Sequence, residues 1–165
     1  MKTQPRIGVM GPGDAKTAET DAAREVGRLI ALRGGIVVCG GGGGVMEAAS
    51  RGAAEAGGDV VGILPGFSAD DANEFVTIPI VTGMSHARNA INVWTSEAII
   101  AVGGSYGTLS EIALALKIGR PVVALGSWRL DKIGCDTRLF HVAETPAEAV
   151  GKAFGLLAGR GGAGF

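Results

Sequence analysis

Hydrophobic and polar positions follow two alternating regimes along this chain. Short apolar runs of four or five residues are each followed by a longer stretch in which apolar residues recur every three or four positions. The short runs read as strands buried on both faces, and the longer stretches as amphipathic helices. Arg6–Met10 predicts a first strand, and Thr17–Leu32 a helix with Ala22, Val26, Leu29 and Ile30 on one face. Ile36–Cys39 predicts a strand, residues 45–56 a helix, and Val60–Leu64 a strand. A short strand is expected at residues 75–78, then a helix over residues 85–95 with Ser85 as its N-cap. Ala98–Val102 predicts a buried strand, residues 108–118 a helix, residues 121–125 a strand and residues 139–142 a last short one. Residues 145–157 close the pattern as a helix, with Thr145 as N-cap, Pro146 at the first helical position and Glu148 completing a capping box. Residues 160–165 read as a frayed tail.

Strand, glycine loop and helix recur three times, which is the mark of βαβ units. The fold class expected is α/β, a three-layer α/β/α Rossmann-like sandwich with a mainly parallel central sheet. No linker divides the chain, so residues 1–165 read as a single domain.

Composition sharpens this picture at one residue type. The chain has 29 glycines in 165 residues, about 18% against a background of about 7%. They have no collagen period and gather at residues 11–13, 40–44 and 103–107, each at the C-terminal end of an expected strand. Charge mostly excludes. Lys and Arg number 15 and Asp and Glu 16, a net charge of −1 with no basic cluster, which argues against a nucleic-acid surface. No apolar run has the length of a membrane span, and residues 1–6 lack the apolar region of a signal peptide. The two cysteines, Cys39 and Cys135, fit neither a disulfide framework nor a zinc spacing. The expectation is a reduced cytoplasmic protein without a metal site.

In an open parallel sheet, ligands sit beyond the C-terminal strand ends. Three glycine loops on that edge offer backbone N–H groups and helix N-termini, a setting for an anion and most naturally a phosphate. The expected ligand-binding residues are Gly11 and Gly13 in the first loop and Gly41, Gly42, Gly43 and Gly44 in the second. In the third they are Gly103, Gly104, Ser105, Tyr106, Gly107 and Thr108. The common nucleotide motifs do not fit. A P-loop ending at Lys16-Thr17 would need glycines where Met10 and Ala15 stand, and a dinucleotide fingerprint from Gly11 would need one at Lys16.

Two charged residues carry the candidate chemistry. Arg88 is expected in the first turn of its helix, where a cation meets the positive end of the dipole unless a bound anion offsets it. Glu111 follows the third glycine loop; Thr108 and Glu111 have the spacing of a capping box, so both a catalytic and a capping role are open. Asp14, Lys16 and His86 read either as ligand contacts or as solvated residues, Tyr106 as a stacking ring or a rim residue. Cys39 reads as a small buried residue and His141 as structural, and Trp94 and Trp128 as core or subunit-interface residues.

The segment Gly103-Gly-Ser-Tyr-Gly-Thr-Leu-Ser-Glu111 resembles the PGGxGTxxE motif of the LOG (lonely guy) phosphoribohydrolases. Arg88 matches the arginine of that family's upstream helix, and residues 40–47 resemble its glycine loop. The opening IGVMGPG and the run GGSYGTLSEIALALKIGRPVV resemble more closely the short branch that includes the molybdenum cofactor carriers. The family's proline is Gly103 here, its second motif glycine Ser105, its lysine Asn89 and its first motif glutamate Ser110. The resemblance implies a nucleoside 5′-monophosphate phosphoribohydrolase, with Glu111 stabilising an oxocarbenium-like sugar or activating water, Arg88 orienting the phosphate and no cofactor required. Its alternative is a non-catalytic carrier whose bound ligand is the molybdenum cofactor, a phosphorylated pterin; a nucleotide sensor or a subunit of a larger complex is a third reading. It also implies a homo-oligomer, dimer or tetramer. Ile91, Val93, Trp94, Ile112, Leu114 and Leu116 place apolar residues on more than one helix face, which points the same way.

Overall fold

Seven apolar runs assemble into one parallel sheet because none has a polar face to offer water. The computed structural model describes residues 4–130 and 138–159, so Cys135 and the expected tail at 160–165 lie outside the described residues. The strands are β1 (Arg6–Met10), β2 (Ile36–Cys39), β3 (Val60–Leu64), β4 (Ile78–Val81), β5 (Ala98–Val102), β6 (Val122–Leu125) and β7 (Phe140–Ala143). Their order is β4-β3-β2-β1-β5-β6-β7, and every neighbouring pair is parallel. The helices are α1 (Thr17–Leu32), α2 (Val45–Glu55), α3 (Arg88–Thr95), α4 (Tyr106–Lys117) and α5 (Pro146–Ala158). This is the three-layer Rossmann-like sandwich that the pattern predicts.

The larger core lies between the sheet and α1, α2 and α5, with Ile7, Val9, Val37, Ile100, Val26, Ile30, Ala49 and Val150 fully buried in it. Here α1 and α2 pack backbone to backbone: a methyl group on Gly27 would collide with the Ala49 carbonyl, and one on Gly52 with that of Arg24. Glycine therefore serves helix contact as well as loops. On the opposite face α3 and α4 cover β1, β5 and β6 through Val93, Ile112 and Ala115. That face thins toward β4, where all four residues are exposed. Among the described residues no helix is long and apolar enough to cross a membrane.

The order in which strands are added reverses about β1, which pairs with β2 on one side and β5 on the other. That switch point leaves a crevice beyond the strand ends, the usual ligand position in such sheets.

Several boundaries differ from expectation for local reasons. The short strand expected at 75–78 lies instead at Ile78–Val81. Thr77 binds β3 through its side chain, with Val60 N–H donating to its Oγ1 at 2.8 Å, and pairing begins only after it. Pro79 is tolerated because β4 is an edge strand. Ser85 does not cap α3; it sits at φ 50° in a 3-10 turn over Ser85–Ala87, and Ala87 precedes the helix without a side-chain cap. Thr145 does cap α5, accepting from the Glu148 N–H, but the Glu148 carboxylate takes the N–H of Glu144. The apolar helix positions also settle within the chain: Val93 and Ile112 are fully buried, Leu114 and Leu116 pack on the core, and only Trp94 stands well out of it, 63% exposed.

Candidate active and ligand-binding site

The loops after β1, β2 and β5 meet the start of α3 around a cavity of about 130 Å³. Gly11 contributes from the first loop and Gly40 from the second. His86, Arg88 and Asn89 come from the α3 side, and Ser105, Gly107, Thr108 and Glu111 from the third loop and α4.

The third loop is a capped helix start. Ser105 is extended, and its Oγ accepts from the Thr108 N–H at 3.3 Å. Trp128 donates its ring N–H to the Ser105 carbonyl at 3.0 Å, so the segment after β6 also holds this loop. Ser105, not Thr108, is therefore the N-cap, and α4 starts at Tyr106. Glu111 consequently sits in the second turn, too far along to cap. Its Oε1 instead accepts from Asn92 Nδ2 at 2.9 Å across to α3. Thr108, Glu111, Ile112 and Ala115 form the buried face of α4.

Arg88 opens α3, as expected, and its side chain is 14% exposed. Nη1 donates to Asn89 Oδ1 at 2.9 Å and stands 3.8 Å from Glu111 Oε1. Its Nε is buried without a hydrogen-bond partner, as is Asn92 Oδ1. A guanidinium has five donors, so this one has capacity left for an acceptor in the cavity. Gly40 makes room for it, since a methyl group there would lie 2.5 Å from Nη2. Burial pushes the arginine pKa down, with the Glu111 charge opposing. Burial raises the Glu111 carboxyl to about 7 against the Asn92 hydrogen bond and the Arg88 charge, which both favour its ionised form.

The second loop is shaped mainly from outside. Asn73 Nδ2 donates to the carbonyls of Gly41 and Gly42 at 3.2 and 2.9 Å, and the Asn73 N–H donates to Gly41 at 2.8 Å. Gly44 has φ 63° and ψ −127°, and a side chain there would strike the carbonyls of Pro12 and Gly13. The first and second loops are thus in contact.

Of the residues expected at the site, Gly11, Arg88, Ser105, Gly107, Thr108 and Glu111 line the cavity together. Gly13, Gly41, Gly42, Gly43 and Gly44 build the adjoining loops without lining it. Gly103 packs against Glu19 and Gly104 against Trp128. Tyr106 stands outside, 83% exposed, its ring stacked on Trp128 with centroids 6.1 Å apart. His86 is exposed at the cavity wall, while Asp14 and Lys16 lie on an exposed turn away from it. Cys39 is fully buried and receives the Gly41 N–H at 3.4 Å; burial pushes its thiol pKa up, as befits a structural residue. His141 bonds the Arg138 carbonyl at 3.0 Å.

Sequence reasoning took in Gly40 only as part of the 40–44 loop, and missed Asn73, Asn92 and the hydrogen bond by which Trp128 holds Ser105. Asn92 had a signal: it lies four residues after Arg88, hence on the same helix face, between the apolar Ile91 and Val93. Asn73 had none, because its partners lie about thirty residues away. Two of the four departures from the family pattern, Asn89 and Ser110, bond each other: Asn89 Nδ2 donates to Ser110 Oγ at 3.2 Å.

The pattern of the SLOG cluster4 family (LDcluster4) matches residues 4–150. An uncharacterized protein of Archaeoglobus fulgidus is 48% identical over 145 residues, covering 88% of this chain and 91% of that protein. The molybdenum cofactor carrier protein of Chlamydomonas reinhardtii is 42% identical with a TM-score of 0.86, over 95% of this chain and 99% of that one. The molybdenum cofactor binding protein of Rippkaea orientalis is 38% identical with a TM-score of 0.86, again over 95% and 99%.

Proposed function

The chain belongs to the SLOG cluster4 family, and on that premise we propose that it is a carrier for a phosphorylated pterin of the molybdenum cofactor class. The observation that carries this reading is the likeness to cofactor carriers along nearly the whole of both chains, at 42% and 38% identity. The site chemistry supports it. The cavity of about 130 Å³ is smaller than the roughly 300–1,000 Å³ that encloses a complete ligand, so it suits a phosphate head group with the ring system outside. Arg88 lines the cavity with Ser105, Gly107 and Thr108, a charged donor for that head group, and the Tyr106–Trp128 pair offers an aromatic surface nearby. The pterin's metal is cargo, and no residue is assigned to it.

Anaerobic loading with molybdenum cofactor followed by gel filtration tests this reading. Pterin fluorescence is expected to elute with the protein, and Arg88→Ala to weaken retention by about 2–4 kcal/mol, through loss of a charge-assisted contact. Cofactor eluting free, or equally retained by Arg88→Ala, overturns it.

A second reading rests on Glu111. A buried carboxyl raised to about 7 beside a guanidinium is suited to hold or give a proton as an N-glycosidic bond breaks. A phosphoribohydrolase would release free base and ribose 5-phosphate from AMP, and Glu111→Gln would abolish the release. Self-association is proposed with it, now through Trp94, Phe67, Met84 and the exposed β4 residues; light scattering at the 16.6 kDa of one chain would contradict it.

A further inference from the structure

One buried guanidinium and one buried carboxyl share the cavity, and each is already the other's counter-charge. Arg88 Nη1 stands 3.8 Å from Glu111 Oε1, and their side chains are 14% and 7% exposed. An incoming phosphate would bring further negative charge to the same guanidinium. With Glu111 ionised, the carboxylate and the anion would then compete for one cation in a setting where repulsion is little screened. We propose that this pocket takes up its phosphate-bearing ligand together with one proton, which Glu111 receives, so that Arg88 exchanges its internal counter-ion for the ligand's. The inference rests on the reading of this cavity as a phosphate site.

The surroundings of Glu111 permit the exchange. Asn92 Nδ2 donates to Oε1, leaving the second carboxyl oxygen to carry the proton. The neighbouring Asn92 Oδ1 is buried without a partner. Burial dominates the carboxyl's behaviour and holds it at about 7 before any anion arrives. An anion beside it favours the neutral acid further, so binding above that pH draws in a proton. The other titratable groups facing this cluster are Cys39 from β2, whose buried thiol stays protonated, and His86 from the turn before α3. A positive charge on His86 would also favour an anion, so the test separates the two.

Sulfate is the suitable probe because it does not itself titrate near neutral pH. Its affinity for the full chain is expected to fall roughly tenfold to thirtyfold between about pH 6 and about pH 8.5. Calorimetry at about pH 8 in two buffers of different ionisation enthalpy is expected to show uptake of nearly one proton per sulfate. The pH slope is expected to vanish in Glu111→Gln and to persist in His86→Asn. Sulfate binding that needs Arg88 but is flat with pH, or a slope that survives Glu111→Gln and disappears in His86→Asn, overturns the inference and leaves the phosphate site standing. Sulfate that fails to bind, or binds Arg88→Ala as well as the native chain, overturns both. If Glu111→Gln folds poorly, the proton count repeated on His86→Asn decides the matter: uptake that persists there assigns the proton to Glu111, and uptake that disappears overturns the inference.

Discussion

The loops after β2 and β5 occupy equivalent places beside the switch point and share a glycine-rich composition, yet they are held in different ways. Glycines 40–44 carry no side chain, so other parts of the molecule fix them: Asn73 ties down two carbonyls, and the carbonyls of Pro12 and Gly13 press on Gly44. The loop after β5 fixes itself, with Ser105 capping α4 and Trp128 holding the Ser105 carbonyl. The loop after β2 gives backbone and empty space, including the room beside Gly40 that the Arg88 guanidinium fills. The loop after β5 and the helix it starts give side chains, Ser105, Thr108 and Glu111. A glycine run does not by itself say which kind of loop it builds.

The largest expected effect contrasts two positions within the loop after β2. Gly44→Ala requires a side chain at φ 63°, against two backbone carbonyls that cannot swing away. It is expected to cost about 3–5 kcal/mol, or to prevent folding. Gly43→Ala meets nothing nearer than 3.8 Å and is expected to stay within about 0.5 kcal/mol of the native chain. Thermal unfolding of the two variants is the measurement, and equal losses would show that the loop is not pinned at Gly44.

Next in size is the acid that the loop after β5 leads into. The folded pKa of Glu111, about 7, lies above its ordinary value of 4.5, so the folded chain holds the proton more tightly than the unfolded one. The stability this gives is complete below about pH 4.5 and is lost as pH rises through about 7. Glu111→Gln is expected to match the native chain near pH 4.5 and to exceed its stability by about 2–3 kcal/mol near pH 8. Denaturant titrations at the two pH values check this, and a variant that is less stable at both would mean that the ionised carboxylate is well compensated by Arg88.

The frame of the molecule was readable because its strands are buried on both faces. β1, β2, β3 and β5 and helix α1 begin and end where the apolar runs do. β4 slipped by three residues because an edge strand has no such pattern and Thr77 imitates a pairing with its side chain. The start of α4 was misread because Thr108 and Glu111 imitate a capping box, while the working cap, Ser105, stands inside a glycine cluster. Arg88 and Glu111 stood out as charges beside glycine loops, and the fold brings them together. Asn73 acts across 32 residues, and local patterns carry no record of such a distance, whereas Asn92, bonded across 19, still shares a helix face with Arg88.

Asn73 gives the third test. In Asn73→Ala the carbonyls of Gly41 and Gly42 lose their side-chain donor, while the backbone bond from residue 73 to Gly41 remains. A loss of about 1–2 kcal/mol is expected, the usual cost of leaving partly buried acceptors unpaired. Amide exchange should quicken at residues 41–44 and stay unchanged at residues 105–108. Quickening in both loops would show that they are held as one unit.

The smallest effect is expected at Ser105, and it reverses that pattern. Ser105→Ala removes the acceptor for the Thr108 N–H and the partner of the Thr108 hydroxyl at 3.1 Å. The Trp128 bond survives, because it is made to the backbone carbonyl. The loss should therefore be that of an N-cap alone, about 1 kcal/mol. Exchange should quicken in the first turn of α4 and leave residues 41–44 untouched. A loss well above that of a cap would mean that the Ser105 hydroxyl also holds the cavity wall, and that the loop after β5 depends on one side chain as heavily as the loop after β2 depends on Asn73.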